Sequence, residues 1–442
     1  MAGKMLILCL ILQYVWSSLG DLQCQERFVH YGHHLGTKSA YRFPLQPPKI
    51  TGQCQFERIW LMVRHGTRAP SSKVIRYMKE RLPQLRKMIL QNVPRDGEPG
   101  LCRDDVALKT WRPRLKETDE KKLSAIGEDE MIQLAQNYRY YFPDLFPGNY
   151  SAASYLFRYT ATQRTSASAR AFAVGLFGRG TSHHVRYPPA VKKDAVLRFY
   201  KLCKRWRKQI HDNPDAVEER RKFEAGSEML YTLTTISKRL NLNFTLSLED
   251  VKLMYVTCAF ETALYPREKS PWCAAFSEEN LRVMEFAEDL EYYWIDGYGH
   301  NITYEQACPA IRDMALRIIP SLIQPGTPPT TVYFTHSGAL LKMLSRLGLY
   351  KDRGGLTHDR YHSLHSRLWK VSNIDIFGSN LAFVLSRCFD GYYVLTLHQE
   401  KIVRLPGCDQ DEDLCPLNLF LKLMWDIVSG CNFEKLCSLR DV

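Results

Sequence analysis

The chain has 442 residues, 45% of them hydrophobic, and carries 60 lysines and arginines against 47 aspartates and glutamates, a formal charge of +13. So much apolar content can bury a substantial core, divided between two folding units rather than one. The positive balance favours polyanionic partners, but no nucleic-acid-binding module is recognisable, which argues against nucleic acid.

Residues 1–20 have the pattern of a signal peptide: Lys4 supplies the positive end, Met5 to Leu12 the apolar stretch, and Ser18 and Gly20 the small residues before a cleavage point. No later segment is long and apolar enough to cross a bilayer, so the mature chain is expected to be secreted or to lie in the secretory-pathway lumen. Cysteine usage agrees. Thirteen cysteines include Cys9 in the leader, leaving an even number that an oxidising compartment lets pair. Spacing does not fix their connectivity, although Cys408 with Cys415 and Cys431 with Cys437 are close enough for short loops. There is no C-x-x-C pair and no His/Cys cluster with zinc spacing. Asn149, Asn243 and Asn301 stand in N-x-[ST] acceptors and mark expected surface loops.

The run Ile59-Trp60-Leu61-Met62-Val63 reads as a buried parallel strand, and ligands of open α/β sheets lie at the carboxyl ends of such strands. Directly after it comes Arg64-His65-Gly66-Thr67-Arg68-Ala69-Pro70. Two guanidinium forks grip phosphate oxygens bidentately, and a neutral imidazole nitrogen between them is positioned to attack phosphorus. An isolated Arg-His-Gly tripeptide is more often surface charge around a satisfied histidine; the extended pattern with Arg68 and Pro70 is much more specific.

Lys73 to Gln91 has helical spacing with a basic face, Asn92 to Gly100 reads as a Pro/Gly loop, and Gly127 to Tyr141 is a second amphipathic helix. From about Ser166 to Gln324 the sequence is mostly helical. Within it, Arg198 to Lys208 places Phe199, Leu202, Cys203 and Trp206 on one helical face with basic groups around them. Strand patterns return at Thr331–Thr335, which precedes His336 and Gly338, and again at Leu381–Leu385 and Tyr392–Leu397. No internal repeat or low-complexity tract interrupts this order.

The Arg64 to Pro70 pattern resembles the histidine phosphatase superfamily, in particular its acid phosphatase and phytase branch. Gly36-Thr37-Lys38, Lys269 to Cys273, Tyr293-Trp294 with Gly297-Tyr298-Gly299, and Ser379-Asn380-Leu381 further resemble the multiple inositol polyphosphate phosphatase family, from about Tyr31 to Asp390. The resemblance implies an α/β fold, a doubly wound core sheet with helices on both faces plus an inserted, mainly helical cap, with the core at 21–165 and 325–442 and the cap at 166–324. It also implies a phosphohistidine at His65, a second histidine at the end of a neighbouring strand, here His336, and a third phosphate-binding arginine. Within Arg158 to Thr165 the family spacing selects Arg164, with Arg158 and Arg170 as competitors. Lys73 matches a lysine of the inositol phosphatase pattern and is a candidate for a second phosphate. The implied substrates are inositol polyphosphates or other small phosphomonoesters. No cofactor and no metal is expected, because arginines neutralise the charge that a cation would otherwise meet.

One departure stands out. Acid phosphatases of this family follow the distal histidine with Asp, and the inositol polyphosphate group uses His-Ala-Glu, so that a carboxylic acid protonates the leaving oxygen. Here the sequence is His336-Ser337-Gly338. A positioned proton donor contributes ~10²–10⁴-fold to rate, and a serine hydroxyl is too weak an acid to replace it, its ordinary role being a hydrogen bond at a helix start. The alternatives are a slow phosphatase, one that recruits another acid, and a non-catalytic polyanion-binding protein.

Overall fold

The computed structural model describes residues 33–48, 54–92, 103–408 and 412–439; the expected leader, Cys24, Cys102 and nearly all of the expected loop 92–100 lie outside them. In chain order the elements that build the site are strand β1 (Gln55–Arg64), helices α1 (Ser72–Gln91) and α2 (Ala125–Tyr141), strand β2 (Tyr155–Tyr159) and helix α3 (Gln163–Phe177). Then come α4 (Leu248–Leu264), α5 (Glu278–Asp296), α6 (Cys308–Ile318), β3 (Thr330–Thr335) and α7 (Ser337–Arg346), followed by β4 (Asn380–Cys388), β5 (Gly391–His398), β6 (Lys401–Ile402), β7 (Leu414–Pro416) and α8 (Leu417–Ser429).

The apolar run of β1 is unalternating because both faces of the sheet are covered. Ile59, Leu61 and Val63 point into one cluster with Met131, Leu134 and Tyr138 of α2 and Phe172 and Leu176 of α3. Trp60 and Met62 point into the other, with Ile311 and Met314 of α6, Leu340 and Met343 of α7 and Phe420 of α8. The strand order is β2-β3-β1-β4-β5-β6, with β7 also on β5. β2, β3 and β1 run parallel, whereas β4 and β5 join antiparallel. The sheet is therefore open and mixed, with helices on both faces, in agreement with the fold class expected.

A third apolar cluster gathers Met78, Leu82 and Leu85 of α1, Met254 and Cys258 of α4, Met284 and Leu290 of α5, and Trp369, Val371 and Phe377. The helices between 166 and 324 are thus shared among layers: most of α3 and all of α6 pack on the sheet, α4 and α5 belong to the third cluster, and α1, from the expected core, joins them. The basic stretch from Arg198 is not one continuous helix. It is a 3-10 turn (Phe199–Lys201), a single turn (Lys204–Trp206) and a π turn (Arg207–His211), yet Phe199, Cys203 and Trp206 are buried as the apolar face required.

Among the described residues five disulfides tie these layers: Cys54–Cys388, Cys203–Cys437, Cys258–Cys273, Cys308–Cys431 and Cys408–Cys415. Cys408–Cys415 is the short loop expected. Cys431 and Cys437 do not pair with each other, because α6 and the turn at Cys203 bring each a partner far away in sequence. Asn149, Asn243 and Asn301 are all exposed. Among the described residues no helix is long and apolar enough to cross a membrane.

Candidate active site

Parallel pairing sets the site. β1 and β3 are in register with Arg64 opposite Thr335, so the residues that follow each strand, His65 and His336, leave the sheet side by side. Their ring centroids are 5.5 Å apart. The His65 amide donates to the Thr335 carbonyl at 3.1 Å, and its own carbonyl accepts from Gly378 at 3.1 Å.

Three devices fix the loop after β1. Gly66 and Gly127 allow backbone to meet backbone, since a Cβ on Gly66 would lie 2.4 Å from the Gly127 carbonyl oxygen. Glu130, buried on α2, accepts from the Thr67 amide and hydroxyl, both at 2.7 Å, and from the Tyr41 amide. Ser124 caps α2 and donates to the Thr67 carbonyl at 2.9 Å. Sequence reasoning missed Glu130, whose only local signal was its place in the first two turns of an amphipathic helix.

His65 is 3% exposed. Its Nδ1 lies 2.9 Å from the Gly66 carbonyl oxygen, which can only accept, so the proton belongs on Nδ1 and the Nε2 lone pair is free. Burial, then Arg68, His336, Arg64 and Arg164, push its pKa well below the ordinary histidine value. The ring is therefore neutral through the physiological range. His336, the N-cap of α7, is likewise pushed well down by burial, Arg164 and Arg198. Arg164 Nη2 can only donate to its Nδ1, at 3.2 Å, so the Nε2–H donates to Thr160 at 2.9 Å, which passes the chain on to Thr165.

The guanidinium groups differ in how they are held. Arg64 donates to the Thr37 carbonyl at 2.9 Å and to the Asp375 carbonyl, pairs with the Asp375 carboxylate at 3.3 Å, and lies 4.8 Å from the Phe377 ring. Thr37 is itself held by Glu288 through its amide and hydroxyl. Arg68 and Arg164 have no carboxylate at ion-pair distance among the described residues. Burial and their mutual repulsion push Arg68 down to about 9, and burial and Arg198 push Arg164 down to about 10. The Nε–H groups of Arg64, Arg68, Arg164 and Arg198 are all buried without an acceptor. Unsatisfied charged donors converging on two neutral imidazoles are what a phosphate dianion would satisfy.

Arg158 and Arg170 do not join this group. Arg158 pairs with Asp194 at 2.6 Å, and exposed Arg170 packs beside Tyr187. Arg198 does join it; its only sequence signal was membership of the basic stretch. Lys73 stands apart, exposed on α1, and lines a neighbouring cavity of about 710 Å³ with Lys38, Glu288 and Tyr255. Lys38 is paired with Glu288 at 2.7 Å; burial works against its charge, but Glu288 more than offsets this and raises its pKa.

Beyond His336, Gly338 lies in the first turn of α7. Ser337 does not cap that helix, for its hydroxyl donates to Asp375. A Cβ at Gly338 would sit 3.1 Å from the Asp296 carboxylate.

The sequence pattern of the histidine phosphatase superfamily (branch 2) matches residues 55–405. Multiple inositol polyphosphate phosphatase 1 of Drosophila melanogaster is 35% identical over 366 residues, spanning 80% of this chain and 76% of its own. The human protein of the same name is 27% identical across 89% of this chain and 84% of its own. Among solved structures, the phytase from D. castellii superposes with a TM-score of 0.74 at 18% identity, covering 92% of this chain and 87% of its own. The Bifidobacterium longum multiple inositol polyphosphate phosphatase in complex with inositol hexasulfate gives 0.65 at 12% identity, covering 90% and 98%.

Proposed function

This chain belongs to branch 2 of the histidine phosphatase superfamily, and on that footing we propose that it is a lumenal or secreted phosphomonoester hydrolase acting on inositol polyphosphates through a phosphohistidine. The observation that carries the reading is the pairing of a neutral His65, its Nε2 lone pair free, with buried guanidinium donors that have no acceptor. His65 Nε2 attacks phosphorus while Arg64, Arg68 and Arg164 hold the non-bridging oxygens and neutralise charge developing in the transition state, joined by His336 once its Nε2–H turns from Thr160 to an oxygen of the bound phosphate. Water then attacks the phosphohistidine and releases phosphate. Lys73, which lines the neighbouring cavity, would meet a further phosphate of the same ligand.

The lack of a side chain at Gly338 favours a second reading, a polyanion-binding protein that keeps the pocket without turnover. Phosphate release from inositol hexakisphosphate by the purified protein, beside a His65→Ala control, separates the two. Release by the wild type alone supports the enzyme; tight binding of the same ligand with no release, and no acid-labile phosphate adduct on rapid quench, supports the binding protein.

A further inference from the structure

Resting on the phosphohistidine reading, we propose that the proton for the leaving oxygen comes from Asp375 and is passed through the Ser337 hydroxyl. Asp375 is fully buried between β1 and α7, and its Oδ2 accepts from Ser337 Oγ, the side chain immediately after His336. Ser337 is partly exposed and directly follows His336 in the chain, so a turn of its hydroxyl away from the buried carboxyl group would present it to the cleft where the two histidines meet.

The carboxyl group is poorly solvated as an anion. Its Oδ2 has Ser337 and, at 3.3 Å, Arg64, whereas Oδ1 is buried with no donor at all. An ionised carboxylate lacking donors on one oxygen holds its proton more tightly. The charged groups that face it are Arg64 from β1 and Lys38 from the turn before it, which favour the anion, and Asp296 from the end of α5, which opposes it. Burial outweighs the cations, and the pKa rises to about 6. Asp296, although beside Gly338, is not the proton source, because its Oδ1 takes the ammonium of buried Lys342 and is held as an ion pair. A Cβ at position 338 would meet the Asp296 carboxylate at 3.1 Å, a tight contact.

The step balances. As the His65 Nε2–P bond forms, the bond from phosphorus to the leaving oxygen breaks and its electron pair stays on that oxygen. With the carboxyl protonated on Oδ2 the hydrogen bond to Ser337 reverses and the Ser337 hydroxyl turns to the leaving oxygen; that oxygen takes the Ser337 proton while Ser337 Oγ takes the Asp375 Oδ2 proton, leaving Asp375 as a carboxylate beside Arg64. In the second displacement, water attacks phosphorus, the N–P electron pair returns to Nε2, and the water proton travels through Ser337 back to Asp375. Ser337 touches the leaving group; Asp375 acts through it as a positioning residue and proton reservoir.

The test compares two leaving groups in the full chain. An inositol alkoxide needs the proton and nitrophenolate does not, so the ratio of kcat/KM for inositol hexakisphosphate to that for nitrophenyl phosphate is the readout. Asp375→Asn is expected to lower that ratio by about tenfold or more, within the ~10²–10⁴ span of general acid catalysis, and to remove the fall in inositol hexakisphosphate turnover above about pH 6. Ser337→Ala keeps the Asp375–Arg64 pair and is expected to lower the ratio in the same direction, so it decides the matter if Asp375→Asn does not fold. An unchanged ratio in Ser337→Ala, equal losses on both substrates, or a wild-type profile without a limb near pH 6 would overturn the relay. If His65→Ala still abolishes nitrophenyl phosphate turnover, only the relay is lost. A wild type that cleaves neither substrate overturns the phosphohistidine reading and the relay with it.

Discussion

Two clusters of buried charge, one around Arg367 and one at the strand ends, are built on opposite rules. Around Arg367, which is 7% exposed, one guanidinium faces two carboxylates: its Nε donates to Asp289 at 2.7 Å and its Nη2 to Glu285 at 3.1 Å. Asp289 also takes the Val371 amide at 2.7 Å, and Glu285 takes His34 at 2.9 Å and the Ser372 hydroxyl. Burial and Glu285 push Asp289 up while Arg367 pulls it back, so the buried charge stays near balance. At the strand ends, Arg64, Arg68, Arg164 and Arg198 converge with Asp375 as the one carboxylate in ion-pair contact among the described residues. A compensated cluster holds structure together; an uncompensated one is a site for an anion, because the like charges are tolerable only when a ligand neutralises them.

The largest effect should come from His65→Ala, which takes the proposed nucleophile. We expect turnover to fall by on the order of 10³-fold or more, as measured by phosphate release; because the ring is buried beside His336 and Phe377, thermal melting should show some loss of stability but a folded protein. Comparable activity in the variant would remove the strand-end cluster from catalysis.

Arg367→Ala and Arg164→Ala test the contrast itself. Removing Arg367 strands two buried carboxylates and should cost about 3–5 kcal/mol of stability, read by urea unfolding. Removing Arg164 relieves repulsion and should cost less than about 1 kcal/mol, even though both are arginines in contact with a histidine or a carboxylate. Equal losses would mean that the two clusters are not different in kind.

Binding should show the reverse order. Arg164→Ala is expected to weaken a phosphate mimic by about 1.5–3 kcal/mol, the size of a charge-assisted hydrogen bond, while Arg158→Ala and Arg170→Ala change it much less. Arg158 is committed to Asp194 and Arg170 is exposed. Calorimetry giving equal effects for all three would displace Arg164 from the site.

A smaller signature lies in pH. Unfolded His336 takes up a proton below about pH 6.5 but the folded ring, pushed well below that value, does not. The unfolded state therefore binds more protons there, and the contribution, fully present above pH 6.5, is lost as pH falls. His336→Gln should lose less stability than the wild type between pH 7 and 5, by up to about 1.4 kcal/mol per unit. Parallel curves for the two proteins would mean that His336 titrates normally.

The smallest change should be Gly338→Ala. Helix propensity favours alanine by about 1 kcal/mol, while the new Cβ meets Asp296 at 3.1 Å, so the two nearly cancel in a thermal melt. A clear gain would mean that Asp296 yields readily to the new Cβ.

Much of this was legible in the chain because it is local. Ile59 to Val63 is apolar at every position only in a strand covered on both faces, and Arg64, His65 and Arg68 travel with the strand end that carries them, so strand, turn and donors could be read together. His336 was legible for the same reason, at the end of a β-branched run. The helices α1 and α2 followed from their spacing, with α2 starting two residues before the Gly127 expected. What stayed hidden depends on which distant segments meet. Cys431 and Cys437 are nearest in sequence, and loop closure alone would favour joining them, but the packing of α6 and α8 on the sheet delivers Cys308 and Cys203 instead. Arg198 was one of several basic residues until the turn at Phe199 aimed it at His336. Ser337-Gly338 read as a missing acid, since nothing nearby in sequence replaces it; only the antiparallel return through β4 brings Asp375 under Ser337. Local pattern determines which elements form and what chemistry each end carries, because it acts within a few residues. Burial, charge compensation and proton affinity depend on neighbours tens to hundreds of residues away, and those the tertiary structure alone decided.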